Sequence, residues 1–143
     1  MNNLKIGGSS EICALANELR QKVFIEEQGV PKDEIFDELN ENAIHVVLLD
    51  NNKPVATTRI VQEGIAWRIG LVAVDKSKRG KHLGDKVMRV SIDYIIAQAG
   101  TEIILSAQQE VCKFYEKLGF KQNGEVVVFE SGFVLVPMKY NSI

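Results

Sequence analysis

Val72-Ala73-Val74-Asp75-Lys76-Ser77-Lys78-Arg79-Gly80-Lys81-His82-Leu83-Gly84 reads as the end of an apolar strand, a basic loop containing glycine, and the start of a helix. The order matters because a helix N-terminus carries unpaired backbone N–H groups and the positive end of the helix dipole. A loop that brings glycine and cationic side chains to that point suits an anionic, phosphate-bearing ligand.

Downstream, Leu83, Val87, Val90, Tyr94 and Ile95 recur at helical spacing across residues 80–98, and Gly100 stands where the helix should stop. Residues 102–107 then form another strand pattern. A strand, helix and strand in this order make a right-handed crossover with the two strands parallel, and a phosphate ligand belongs at the carboxyl end of the first. Upstream, residues 43–50, 54–62 and 65–74 alternate as strands, with turn signals at Asp50-Asn51-Asn52-Lys53 and Glu63-Gly64, and predict an antiparallel meander.

Further out, residues 3–7 read as a brief strand. Gly8-Ser9-Ser10-Glu11 offers an N-cap to a helix carrying Ile12, Leu15, Ala16, Leu19, Val23 and Phe24, which should end near Gly29. Residues 32–42 are acidic and predict a short helix or ordered loop. Residues 110–118 form a helix stopped by Gly119, and residues 125–130 and 133–138 form the last two strands. The fold class is mixed α/β within one sheet, with residues 1–143 as one domain.

A chain of 143 residues has room for one good core. The 17 basic and 19 acidic residues leave a net charge of −2, without the basic excess a nucleic-acid surface needs. The composition predicts a soluble protein with no membrane segment and no nucleic-acid partner. Cys13 and Cys112 lie in helical patterns without neighbouring ligands, so they read as reduced packing thiols and no metal site is expected. The first residues lack a basic start with an apolar run, and the cytoplasm is the expected compartment.

Val72-Ala73-Val74, Arg79-Gly80-Lys81-His82-Leu83-Gly84 and Phe114-Tyr115-Glu116-Lys117-Leu118-Gly119-Phe120 together resemble the Gcn5-related N-acetyltransferase (GNAT) superfamily. That family's cofactor loop has the form (Gln/Arg)-x-x-Gly-x-(Gly/Ala), which maps onto residues 79–84 with His82 where glycine is usual. Leu19-Arg20-Gln21-Lys22-Val23-Phe24-Ile25-Glu26-Glu27-Gln28-Gly29-Val30-Pro31, with Glu34, Asp37 and His45, is similar to the ElaA/YjcF-like bacterial branch. The likeness spans nearly the whole chain. It implies a twisted, mostly antiparallel sheet with a central crossover and helices on both faces.

The resemblance also implies an acetyl-CoA-dependent N-acetyltransferase that acts by direct attack of an amine. Gly80, Lys81, His82, Leu83, Gly84 and Asp85 would offer backbone N–H groups to the pyrophosphate, with Arg79 beside it. Val72, Ala73 and Val74 would pair with the pantetheine arm, leaving the acetyl group near Val74. Tyr115 matches the family tyrosine that protonates the departing thiolate, and Gln108 falls where the family often has an asparagine contacting the cofactor.

Amine attack needs a free lone pair, hence a base or a water chain to solvent. Glu27 is the preferred base, with Glu26, Glu34 and His45 as competitors near the acceptor side; the alternative for the carboxylates is a solvated or capping role, and for His45 a half-buried strand histidine. Lys78 reads as surface and Phe114 as packing. The acceptor stays open between an amino acid, a polyamine, an aminosugar and a peptide amine, with the acidic residues 26–41 hinting at a cationic group. A non-catalytic CoA-binding or sensing module is the alternative function. The end strands, residues 126–129 and 133–138, offer edges for a homodimer.

Overall fold

The structure, a computed structural model, describes residues 2–141. Eight strands form one sheet in the order β1-β2-β3-β4-β5-β8-β6, with β7 also on β8. They are β1 (Asn2–Gly7), β2 (Ile44–Asp50), β3 (Lys53–Glu63), β4 (Ala66–Val74), β5 (Glu102–Gln108), β6 (Phe120–Gln122), β7 (Val127–Val128) and β8 (Val134–Tyr140). Every pairing is antiparallel except that of β4 with β5. The helices are α1 (Ser10–Arg20), α2 (Lys32–Ile35), α3 (Leu83–Ala97) and α4 (Cys112–Leu118).

The sheet is covered on both faces, and β2 shows why its sequence is a continuous apolar run. Val46 and Leu48 pack into the main core with Val87, Met88, Ile92 and Ile95 of α3, while Val47 and Leu49 on the other face meet Ala16, Leu15 and Ile12 of α1. Ser9 caps α1 by accepting the Ile12 N–H. α3 is tied to β3 by a buried pair of hydroxyls: Ser91 Oγ donates to the Val87 carbonyl at 2.7 Å and lies 2.6 Å from Thr58 Oγ1. Gly100 ends α3 against the sheet, where a Cβ would stand 2.9 Å from Trp67 Nε1 and 2.5 Å from an Ile95 methyl. No helix among the described residues is long and apolar enough to cross a membrane.

The mixed fold, the meander and the parallel crossover are as the sequence indicates. Three details differ. The first helix is not α-helical to Gly29: beyond Arg20 it widens into a π-helical segment, Gln21–Glu27. The third helix starts at Leu83 rather than at Gly80, because Lys76–Lys78 forms a separate 3₁₀ turn and His82 adopts a left-handed conformation. The chain's end is also rearranged. Residues 120–122 form a strand that no pattern announced, and β8 lies inside the sheet between β5 on one edge and β6 and β7 on the other. The expectation that residues 133–138 offer a dimerisation edge is therefore corrected: β5 lies on one side of that strand and β6 and β7 on the other, which leaves β6 and the two-residue β7 as the outer strands there.

Candidate functional site

The site begins where the sheet opens. β4 and β5 pair only through Ala66, Trp67 and Arg68 opposite Glu102, Ile103 and Ile104. Beyond Arg68 the strands part, and residues 69–72 face residues 105–108 across a cavity of about 370 Å3. A bulge accompanies the parting: Thr57 pairs with Ala73 and Arg59 with Gly70, so two residues of β4, Leu71 and Val72, stand opposite Thr58. Leu71 has φ +47°, an uncommon conformation for a non-glycine residue. No feature of the sequence marks Leu71 for this.

A second cavity of about 510 Å3 continues along β4 to the loop and α3. Val72, Ala73, Val74, Arg79, Gly80, His82, Leu83, Gly84 and Asp85 line it, as do Lys78, Phe114, Val23, Gln28 and Val111. Gln28, Val72 and Val111 line both cavities, which are thus continuous. Of residues 79–85, those assigned to the pyrophosphate from the sequence, Lys81 alone lies outside these walls; it is exposed. Lys78, read as surface, lines the cavity and pairs with Asp50 at 3.2 Å. Phe24, Gln28, Leu71 and Val111 are not read as site residues from the sequence, although Phe24 and Gln28 lie in the stretch that resembles the ElaA/YjcF-like branch.

Backbone donors converge at the entrance to α3. Among the described residues, none of the amides from Gly80 to Asp85 donates to a protein acceptor. Gly80 holds φ +85° with open space where a Cβ would be, and His82 holds φ +61°. His82 thus takes the conformation that glycine adopts freely, and its ring makes no capping bond. Asp85 is ion-paired along the helix with Arg89 at 2.9 Å, which turns its carboxylate away from being a lone negative charge beside those amides.

Arg79 is almost fully engaged. Its Nε and Nη2 donate to the Val74 carbonyl at 3.2 and 3.0 Å, and its Nη1 and Nη2 donate to the two Glu27 carboxylate oxygens at 2.6 and 2.8 Å. A guanidinium has five N–H groups, so one remains. Glu27 is held below the usual carboxylate range by this hydrogen-bonded guanidinium, and Arg79 is raised in return. Together with Lys22–Asp75 at 3.6 Å, the clamp docks the π-helical segment onto the loop. Glu27, the preferred base, lines neither continuous cavity, and a carboxylate stabilised in its charged form by Arg79 is a weak proton acceptor.

Tyr115 and Gln108 both line the cavity between β4 and β5. Burial, with Cys112 nearby, pushes the Tyr115 phenol up to about 12, so it is a proton carrier throughout the neutral range. Its ring packs edge-on against Phe114 and Phe120, at 5.0 and 6.2 Å between centroids. The other acceptor-side candidates stand elsewhere. Glu34 is exposed on α2 and lines neither cavity, and Glu26 lies with Glu27 in a separate depression.

His45 is wholly buried, which removes it from contact with any acceptor. Its Nδ1 takes a hydrogen bond from Arg20 Nη2 at 3.0 Å and its Nε2 lies 3.1 Å from the Asn40 carbonyl, an arrangement that suits the neutral ring protonated on Nε2. Burial and the Arg20 charge push its pKa down to about 4. Arg20, also fully buried, donates to the Thr58 carbonyl at 3.3 Å, at the residue opposite the β4 bulge. The pair belongs to the scaffold under the bulge.

An open strand edge, a bulge and a helix entrance with free amides are thus arranged around one crossover. The model of the acetyltransferase (GNAT) domain matches residues 13–142, and the chain belongs to that family, a GNAT N-acetyltransferase of the ElaA/YjcF-like branch. It is 31% identical over 115 residues to YjcF of Bacillus subtilis, described as an uncharacterized N-acetyltransferase, covering 80% of this chain and 81% of that one. Escherichia coli ElaA superposes with a TM-score of 0.86 at 23% identity, covering 99% and 100% of the two chains. An aminoglycoside 6'-N-acetyltransferase complexed with coenzyme A superposes with a TM-score of 0.75 at 17% identity, covering 97% and 95%.

Proposed function

We propose that the continuous cleft binds acetyl-CoA and that the protein transfers its acetyl group directly to a primary amine. The observation that carries this reading is the three-residue pairing of β4 with β5, which leaves the rest of the β4 edge open beside a loop of free amides. An extended arm bearing amides fits an open strand edge, and a pyrophosphate fits the amides of Gly80, His82, Leu83, Gly84 and Asp85 with Lys78 close by. The solved relative that holds coenzyme A on the same fold supports the choice of ligand.

Acetyl-CoA supplies the acyl group as a thioester. Val72, Ala73 and Val74 orient the arm, and the residues common to both cavities, Gln28, Val72 and Val111, flank the point where the acyl end meets the acceptor. The Tyr115 Oη–H holds the proton that the sulfur takes as the C–S bond breaks and the C–N bond forms. The proton lost by the amine goes to water, because among the described residues Tyr115 is the one titratable side chain lining the inner cavity, and water returns a proton to the Tyr115 phenolate after the thiol leaves. Ser106, a hydroxyl on that wall, accepts a hydrogen bond from Arg68 at 3.2 Å rather than giving one to a base, which favours direct attack over an acyl-enzyme. Arg79 and Glu27 serve the binding site as a clamp on its rim.

Acetyl-CoA at a hundred times its dissociation constant should stabilise the fold by about 2.7 kcal/mol. A thermal melt with acetyl-CoA, followed by a thiol-release assay with added amines, tests the proposal. A raised Tm with amine-dependent thiol release is expected; no shift removes the cofactor assignment, and a shift without release to any amine leaves a binding module.

A further inference from the structure

We propose that the acceptor is a primary amine with an apolar, otherwise uncharged body, of the arylalkyl or alkyl class; this rests on the acetyl-transfer reading of the same cleft. Among the described residues thirteen line the inner cavity, and of these only Tyr115 carries an ionisable side chain. Phe24, Leu71, Leu105, Val111 and Leu135 give the cavity apolar surface, and Gln28, Ser106 and Gln108 add neutral polar groups.

The acidic residues that hinted at a cationic acceptor are elsewhere. Glu27 is held by Arg79, Glu26 lines a depression with Lys22, Asp75 and Lys76, and Glu38 and Glu41 line a groove with Leu39 and Val61. A polyamine or aminosugar entering the inner cavity would bring additional ammonium groups that meet no carboxylate on its lining, so their charge gains no ion pair in return for the water it gives up. An amino acid would bring a carboxylate that meets no cation on the wall. Arg68 reaches Ser106 there but is already paired with Glu63 at 2.6 Å.

A single amine suits the same walls. Contact with Phe24, Leu71, Leu105 and Leu135 takes water from the amine, and loss of water disfavours the ammonium form of the attacking nitrogen without a dedicated base. A body of phenylethylamine size fits within about 370 Å3 and leaves room for the acyl end of the cofactor beside Tyr115. The apolar surface also continues outward: Leu135 pairs directly with Val127 of β7, so their side chains share a face, and both Val127 and Val128 are exposed.

The test is a thiol-release panel with acetyl-CoA at pH 8, comparing 2-phenylethylamine and hexylamine with spermidine, kanamycin, phenylalanine and a tetrapeptide with a free N-terminus. The expected result is a kcat/KM at least tenfold higher for the two apolar amines. Leu135→Asp should lower kcat/KM for phenylethylamine about tenfold and narrow the gap to spermidine, while the Tm rise with acetyl-CoA persists and reports an intact fold. A polycation, amino acid or peptide equal to or better than the apolar amines overturns the acceptor class alone. So does binding of acetyl-CoA with no turnover of either apolar amine, or an unchanged preference in Leu135→Asp. Absence of the acetyl-CoA Tm rise in the parent protein overturns the acetyl-transfer reading and this inference together.

Discussion

Along its edge to β3, β4 is paired from Ala66 to Val74, interrupted once by the bulge; along its edge to β5, pairing covers Ala66, Trp67 and Arg68 only. The paired edge is backed by buried side-chain contacts on both faces, Thr58 with Ser91 above and Arg20 with His45 and the Thr58 carbonyl below. The open edge is backed by cavities. Unpaired backbone groups are costly in a dry core, but here they stand in a cleft open to solvent or ligand. One edge thus supplies stability, and the other supplies a place to bind.

Tyr115 is the sharpest probe of the open edge. Tyr115→Phe should lower kcat by roughly 100-fold or more, as loss of a positioned acid does, with the KM for acetyl-CoA nearly unchanged. Initial rates at saturating amine decide this, and an unaltered kcat removes Tyr115 from the chemistry. Because the phenol is pushed up to about 12, its ionisation should produce no falling limb in the rate profile of the parent enzyme up to pH 10.

His45 probes the closed edge. Its folded pKa, about 4, lies below its ordinary 6.5, so between these values the unfolded chain binds more protons. Stability should therefore fall as pH drops from about 6.5 to about 4, by up to roughly 3 kcal/mol. Urea unfolding across that range measures the slope, and His45→Gln should flatten it. A parent slope unchanged by His45→Gln would show that the ring is not held neutral by Arg20.

The smallest expected effects compare two left-handed residues in the loop. Gly80→Ala meets open space but a φ of +85°, and should cost about 1–2 kcal/mol from backbone strain alone. His82 already bears that strain at φ +61°, so His82→Gly should change stability by less than about 1 kcal/mol, relief of strain being offset by extra freedom in the unfolded chain. Thermal melts of the two variants separate them; a large loss in His82→Gly would mean that the imidazole makes a contact of its own.

Much of this was legible in linear sequence because it depends on local period. Val72, Ala73 and Val74, the Arg79 to Gly84 loop, and Phe114 with Tyr115 all fall where their patterns put them, on a strand end, a helix entrance and a short helix. Other features depend on partners far along the chain. Glu27 meets Arg79 fifty-two residues later, and His45 meets Arg20 across two elements, so neither pattern could tell a base from a clamp or a ligand from a buried strut. The inner position of β8 likewise follows from β6, a three-residue strand too short to show alternation.

The sequence by itself determined the order of elements, the crossover and the basic helix entrance, since strand alternation, helical spacing and glycine positions are local properties of the chain. Only the tertiary structure decided how far β4 stays paired with β5, which residue forms the bulge, and which charges are already satisfied before a ligand arrives. Those outcomes come from strands competing for one another's hydrogen-bonding edges and from distant charges finding partners. The open edge beside Tyr115, with Glu27 closed onto Arg79, is the result of both.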